Sequence, residues 1–365
     1  MSNIRDTPYT EIVERVQLLS RSSSDDKKKI RDIVNRKYAS AIPREMDWYF
    51  LKASSSISCV AEHDSGVVTV NTQNTVCTFS GTVITSAMTG RKIKFSNNAN
   101  IYDFTYSDST GGTISPSLSL AANISMGAYT IFKSIFSLAP DFDRFPINGG
   151  LLYYSGGKPT PLPEVSDDDY YNDYATASPS STPERCRLLD YDTAGNQQVE
   201  IISPPADAMV LPYEYLRTLP PMKESSGGTV VVTGTSVTGT ATKFTEMTTG
   251  DYFRQDFIGT GVDSQWYKIL TITHDSSLQL RVSTGSDNAA EKEYVISTAP
   301  KYPHKFQEAL IYGAMGDLLP DQNDPNYVYY HGEYAKILTD NKVIIQTRKT
   351  KDDIELIAEN INYRR

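Results

Sequence analysis

Residues 68–95 read VTVNTQNTVCTFSGTVITSAMTGRKIKF, and residues 230–254 repeat that pattern as VVVTGTSVTGTATKFTEMTTGDYFR. Gly90 in the first stretch corresponds to Gly250 in the second. Both stretches alternate apolar and polar residues, which is typical of half-buried strands. A repeated sequence is expected to give a repeated supersecondary unit. We therefore predict two related small antiparallel β modules, at 57–132 and 226–298.

The two ends of the chain have a helical pattern. Apolar residues at helical spacing follow Pro8 and then Ser24, which predicts a helical hairpin over 1–56. The same pattern follows Pro303 and predicts C-terminal helices over 299–340. Each helix pair is apolar on one side only, so we expect the two pairs to pack on each other. The predicted fold class is α+β: one helical bundle from both ends, with the two β modules between them.

The region between the modules, 133–225, has a weaker pattern. Short apolar runs indicate an additional sheet, and 156–184 has the composition of a long loop that is rich in Asp and Tyr. The acidic run at 166–173 lacks the spacing of an EF-hand. We interpret it as a solvated loop, and whether it binds a cation or a further partner is left open.

Composition excludes several function classes. The 365 residues carry a formal net charge of −9, so the chain as a whole is not built to coat nucleic acid or an anionic membrane. No run is apolar for the roughly 18 residues of a membrane span, and the N-terminus has no signal-peptide pattern. The three cysteines are far apart, which predicts reduced thiols and no disulfide framework.

The usual motifs of catalysis and cofactor binding are missing. The four histidines are isolated, and neither a dinucleotide-binding nor a P-loop glycine pattern occurs. No nucleophile elbow is found, and Cys186 has no histidine close by in the sequence. We therefore expect no catalytic residues, no cofactor and no metal. A glycosidase that uses two carboxylates is a third possibility, which one sequence does not exclude.

The C-terminal stretch 341–365 follows the last predicted helix and has no predicted partner. Three apolar β-branched residues lie there beside four cations, which favours docking in a groove or on a sheet edge over a solvated tail. The predicted docking arm is formed by Lys342, Val343, Ile344, Ile345, Arg348, Lys349 and Lys351.

The order of these segments resembles the head-to-tail adaptor (head-completion or connector) proteins of tailed bacteriophages. Three stretches carry the resemblance: REMDWYFL at 44–51, YTIF at 129–132 continuing to LAPDFDR at 138–144, and YPHKFQEALIYGA at 302–314. This chain departs from the simplest adaptors, which lack the β modules.

The resemblance implies a structural virion protein in the neck, made in the cytoplasm of the bacterial host. It implies a homo-oligomeric, twelve-membered ring that matches the portal. The arm of each copy binds the portal, while the β part extends toward a tail or nozzle/stopper protein. DNA would pass through the ring during ejection without sequence-specific binding. The alternative is a host-recognition, fibre or decoration protein that binds cell-surface carbohydrate through its β modules and the Tyr-rich loop 153–174.

Overall fold

The structure is a computed structural model that describes residues 6–71, 74–118, 123–146, 149–155, 157–174, 178–255, 265–284, 288–322 and 324–342. The chain divides into two compact units. The first unit consists of 1–46 and 219–365, and the second unit is the continuous stretch 47–218. The second unit is therefore inserted, along the chain, between two parts of the first.

The helices are α1 (Tyr9–Ser20), α2 (Lys27–Arg36), α3 (Ile42–Glu45), α4 (Asp167–Asp169), α5 (His304–Leu318) and α6 (327–342). Pro8 lies at the N-cap of α1, where a missing N–H costs nothing, and Arg21 ends the helix in the left-handed conformation. A π-helical turn, Lys37–Ala41, joins α2 to α3. The N-terminal helical region is thus nearly continuous from Lys27 to Glu45.

The strands of the second unit are β1 (Lys52–Cys59), β2 (Val67–Val70), β3 (Val76–Ser80), β4 (Arg91–Phe95), β5 (Ile101–Asp108), β6 (Gly111–Ser115), β7 (Ile124–Gly127), β8 (Tyr129–Phe132), β9 (Ile135–Ser137), β10 (Phe142–Arg144), β11 (Leu152–Ser155), β12 (Lys158–Pro161), β13 (Arg185–Tyr191), β14 (Gln197–Ile202) and β15 (Met209–Arg217). Seven of them form one sheet in the order β7-β2-β3-β6-β5-β4-β8. The others pair as β1-β15-β10, β13-β14-β9 and β11-β12. Each described pairing of these strands is antiparallel.

The strands of the first unit are β16 (Glu224–Ser225), β17 (Thr229–Thr233), β18 (Ser236–Thr240), β19 (Tyr252–Gln255), β20 (Tyr267–His274), β21 (Ser277–Leu280), β22 (Asn288–Lys292) and β23 (Tyr294–Ser297). They form one sheet in the order β22-β17-β18-β21-β20-β19-β23-β16. With β2–β8 matched one to one to β17–β23, this is the strand order of the seven-stranded sheet, extended by β16 at one edge.

Corresponding residues of the two sheets have corresponding roles. Gly90 and Gly250 both have positive φ, 78° and 94°, a conformation that glycine adopts without a Cβ penalty. Tyr129 donates a hydrogen bond to the carbonyl oxygen of Ser65 at 2.7 Å, and Tyr294 donates one to that of Gly227, also at 2.7 Å. The two sheets therefore share details of packing as well as strand order.

Hydrogen bonds connect the helix α1 of the first unit to the sheet of that unit. The Tyr9 N–H donates to the Thr298 carbonyl oxygen at 2.8 Å, at the end of the strand β23. Arg254 of β19 forms two hydrogen bonds with the carboxylate of Glu14 in α1, at 3.0 and 2.7 Å. Bidentate pairs of this kind fix orientation as well as distance. The helices α1 and α2 also contact each other and α5.

The predicted fold class is wrong. Of the described residues 39% are in strands and 27% in helices, and the molecule consists mostly of antiparallel sheets rather than a helical bundle that carries small β modules. The apolar faces of the predicted helices indicated that each helix needs a packing partner. In the structure part of that partner is the set of strands of the same unit. An amphipathic pattern does not specify whether its partner is a helix or a sheet.

Candidate functional site

The predicted docking arm begins at the end of α6. Lys342, its first residue, forms an ion pair with Glu45 of α3, with 3.1 Å between Nζ and Oε2. The neighbouring Asn341 is buried and donates to the Ile337 carbonyl oxygen at 2.7 Å. Val343, Ile344, Ile345, Arg348, Lys349 and Lys351 lie outside the described residues. The structure thus describes the base of the predicted arm.

Two glycines of α5 let α6 approach closely. A Cβ on Gly313 would lie 2.9 Å from the Tyr334 ring, and one on Gly316 would lie 2.9 Å from the Nδ1 atom of His331. Contacts below 3.0 Å require a shift of one partner. Since Tyr334 and His331 belong to α6, glycine at both positions sets the short separation between these helices.

A charged cluster joins α6 to the N-terminal helices. Lys37 is buried, pairs with Asp317 at 2.9 Å, and its Nζ lies 5.0 Å from the centre of the Tyr334 ring. Arg36 reaches the same Asp317 carboxylate at 2.8 Å. Burial, with the charges of Glu45 and Asp317, raises the pKa of Tyr334 to about 12, so the phenol stays neutral. The base of the arm therefore lies on a fixed support.

The acidic, Tyr-rich loop of the second unit covers a buried cation. Arg187 of β13 is 8% exposed and pairs with Glu200 of β14 at 2.7 Å and with Asp167 at 3.2 Å. Its guanidinium lies 3.6 Å from the centre of the Tyr170 ring. The Ser166 side chain accepts a hydrogen bond from the Asp169 N–H and so caps this short helical segment.

The electrostatics of this cluster keep Arg187 charged and Tyr170 neutral. Burial alone would lower the pKa of Arg187, but its hydrogen bond to Glu200 and the Glu200 charge raise it. Burial, reinforced by Glu200, raises the pKa of Tyr170 to about 12. The Tyr170 hydroxyl donates to Glu200 at 3.3 Å. The Glu200 carboxylate thus accepts from three donors, Arg187, Tyr170 and Ser134.

A cavity of about 100 Å³ lies beside this cluster, lined among others by Lys92, Ser134, Tyr174 and Glu200. It has room for a few water molecules. Two rings of the loop each have one face covered by a guanidinium. Arg185 lies 5.4 Å from the centre of the Tyr174 ring, and Arg187 lies over the Tyr170 ring. Tyr154 on β11 is 52% exposed.

The other candidate groups are dispersed. Cys59, Cys77 and Cys186 are buried and free, and burial raises the pKa of each thiol. His63 contacts Thr82 at 2.9 Å, and burial lowers its pKa. In the part of the chain that the structure describes, no group of three or more His, Cys, Asp or Glu residues could hold a metal ion. No helix described there is long and apolar enough to span a membrane.

The chain matches no family model and no curated protein.

Sequence reasoning missed Glu45, Arg187 and Glu200. Glu45 contacts Lys342 across 297 positions of the chain, and no local signal marks such a partner. Arg187 and Glu200 are different, because a charged residue inside each of two apolar runs indicates a buried pair when the runs are neighbouring strands.

Proposed function

We propose that this chain is a structural virion protein of a tailed bacteriophage, a head-to-tail adaptor that joins the portal to the tail. The resemblance of 44–51, 129–144 and 302–314 to that class motivates the proposal. The observation that carries it is the base of the arm: Lys342 is paired with Glu45 at the end of α6, so the apolar and basic residues that follow start from a fixed point.

In this proposal residues 342–351 dock on the portal. Burying Val343, Ile344 and Ile345 stabilises the complex by roughly 1.5–3 kcal/mol each before ordering costs. Exposed ion pairs of Lys342, Arg348, Lys349 and Lys351 add only about 0–1 kcal/mol each and weaken with salt. The apolar residues are therefore the anchor, and the cations accelerate association.

The remaining partners follow from the same role. The chain forms a homo-oligomeric ring that matches the twelve-membered portal, and a tail or nozzle protein binds its other side. DNA passes through the ring, and the net charge of −9 supports passage without adhesion to the phosphate backbone. No catalytic step is assigned to the protein.

Carbohydrate binding by the Tyr-rich loop is not favoured. That function needs ring faces that are open to a sugar. Arg187 and Arg185 each cover one face of Tyr170 and Tyr174, respectively, which leaves the exposed Tyr154 and Tyr171 for stacking.

The test uses purified portal rings of the same phage and two matched variants of the full chain. Ile344→Asp and Gln346→Asp introduce the same charge two residues apart, but only the first removes an apolar anchor. We expect Ile344→Asp to lower retention on portal rings at least tenfold and Gln346→Asp to change it by less than about threefold. Electron microscopy of the wild-type complex should show a ring on the portal. Equal retention of the two variants would remove the arm from the mechanism, and absence of portal binding by the wild type would overturn the proposed function.

A further inference from the structure

Five large apolar side chains are exposed at one end of the helices of the first unit. Leu18 and Leu19 of α1 are 78% and 49% exposed, and Tyr327, Val328 and Tyr329 of α6 are 40%, 61% and 59% exposed. We call these five residues the end patch. Monomeric soluble proteins rarely expose a large contiguous apolar patch, and such a patch usually marks an interaction site.

An ion pair brings the two parts of the end patch to the same end. Leu18 and Leu19 lie in the last turn of α1, just before the connection to α2, and Lys29 lies in the first turn of α2. Lys29 pairs with Asp321 at 2.7 Å, and Asp321 lies in the connection from α5 to α6. The turn after α1 and the turn before α6 are therefore neighbours.

The base of the arm lies at the opposite end of α6. This helix runs antiparallel to α5, because Tyr334 lies against Gly313 while His331 lies against Gly316. From Tyr327 to Lys342 a helix rises about 22 Å, at ~1.5 Å per residue. Residues 343–351 can extend over about 30 Å, so the segment after them can reach the end patch of its own chain.

The rim of the end patch carries carboxylates, among them Asp25 and Asp26, as well as three cations. Arg21 and Lys28 are exposed and Lys27 is half-buried, and none of the three has an ion pair among the described residues. Residues 352–361 have the complementary composition, DDIELIAENI, with four carboxylates and four large apolar residues. A segment of the same chain thus carries apolar residues that match the apolar surface and carboxylates that can pair with these three cations.

We propose that residues 352–361 dock on the end patch of their own chain. Ile354, Leu356, Ile357 and Ile361 cover the exposed apolar side chains, and Asp352, Asp353, Glu355 and Glu359 face the cations of the rim. The tether gives the segment an effective concentration on the order of millimolar, which favours its own chain over a second copy. This contact leaves 342–351 available, so it does not depend on the proposed function.

Disulfide trapping in the full chain tests the proposal. Gly332 and Thr339 are both exposed on α6, seven residues apart and hence on the same face, and Gly332 is one turn from Val328. A Cβ at Gly332 meets open space. One variant combines Gly332→Cys with Ala358→Cys, and the matched control combines Thr339→Cys with Ala358→Cys. The native cysteines are buried, so they compete little with the introduced pair.

We expect the Gly332 pair to form an intrachain disulfide at least tenfold faster than the Thr339 pair. A freely moving arm would give the reverse order, because Thr339 is separated from Ala358 by the shorter loop. Lys27→Glu with Lys28→Glu should slow the Gly332 pair about fivefold, whereas Lys52→Glu, an exposed lysine of β1, should not. An equal or faster Thr339 pair, or disulfides that join two chains, would overturn the proposal. Because no portal is present, failure here is distinguishable from failure of the proposed function.

Discussion

Arg187 is a charged residue that is only 8% exposed, so water compensates little for the loss of a partner. Removing one member of a buried ion pair leaves the other uncompensated and costs about 3–5 kcal/mol, whereas replacing both by apolar residues costs much less. We expect Arg187→Met to lower the free energy of unfolding by that amount, and the double variant with Glu200→Met to recover at least about 2 kcal/mol of it.

Arg185→Met is the control, because Arg185 is on the same strand, stacks on Tyr174 and is less buried than Arg187. Its expected loss is about 1 kcal/mol or less. Urea unfolding followed by far-UV circular dichroism measures all three variants. Equal losses for Arg187→Met and Arg185→Met would show that the Glu200 pair does not stabilise this unit.

Asp192 makes stability depend on pH in the acidic range. A hydrogen bond from Ser137, at 2.7 Å, and those from Asn196 and Ala194 lower the pKa of this carboxyl from its ordinary 3.8 to about 2. A lowered pKa in the folded state adds stability that is complete above the unfolded pKa and is lost as pH falls through the folded one. We expect the wild type to be more stable than Asp192→Ala at pH 5, and this contribution of ionisation to disappear between about pH 4 and 2.

Thermal unfolding of the wild type, Asp192→Ala and Asp190→Ala over pH 2–6 measures this effect. Asp190 is exposed on the same hairpin and serves as the control for removing a carboxylate. If Asp190→Ala loses stability with the same pH dependence as Asp192→Ala, the hydrogen bonds at Asp192 are not the cause.

At the scale of elements, local pattern predicted positions well. The helical pattern that follows Pro8 corresponds to α1, and one of the short apolar runs of 133–225 lies in β14 (Gln197–Ile202). Periodicity and caps act within a few residues, so the sequence carries them directly. The partners of each element could not be predicted in this way: Lys52 of β1 pairs with Leu216 of β15, and the ion pair of Lys342 and Glu45 at the arm base spans almost the whole chain.

The same limit explains why the fold class was wrong. The apolar face of α1 was visible in the sequence, but its connection to β23 through Tyr9 and Thr298 was not. Strand content was underestimated because short strands such as β9 and β10 contain only three residues, too few for an alternation to be recognised.

The contact between α5 and α6 gives a prediction with a matched control. Gly316→Ala places a Cβ 2.9 Å from His331, whereas Gly332→Ala places one in open space. Both changes favour the helical state, by up to about 1 kcal/mol relative to glycine. We expect Gly332→Ala to stabilise the protein by about that amount and Gly316→Ala to destabilise it by about 1 kcal/mol or more, through overpacking.

Hydrogen exchange of α6 together with thermal unfolding measures the two variants. Gly316→Ala should also raise the exchange rate of amides in 330–342, because α6 is displaced from its support. Two equally stabilised variants would mean that His331 moves aside at no cost and that the glycine is not required for the approach.

At the scale of the whole molecule, the second unit is an insertion between Met46 and Leu219 of the first. Each unit contains one of the two sheets of equal strand order, so the sequence repeat is distributed over both units. In the second unit, β1 near its start pairs with β15 near its end over eight residues. This antiparallel pairing brings the two ends of the inserted stretch close together. Domains whose ends lie close together are the ones that tolerate insertion into another chain.

This pairing predicts that 47–218 folds when it is expressed alone. The stretch has its own apolar cores, one around Phe104 of the seven-stranded sheet and one around Tyr213 of β15.

The stretch 219–365 is the control, because it contains α5 without the helices α1 and α2 that contact α5. Phe306 and Leu310 of α5 are buried in the full chain, and burial of such residues is worth roughly 1.5–3 kcal/mol each. We expect a β-type circular dichroism spectrum and cooperative urea unfolding for 47–218, and aggregation or no cooperative transition for 219–365. A cooperative 219–365 beside an unfolded 47–218 would mean that the first unit does not need 1–46 and that the inserted stretch depends on the rest of the chain.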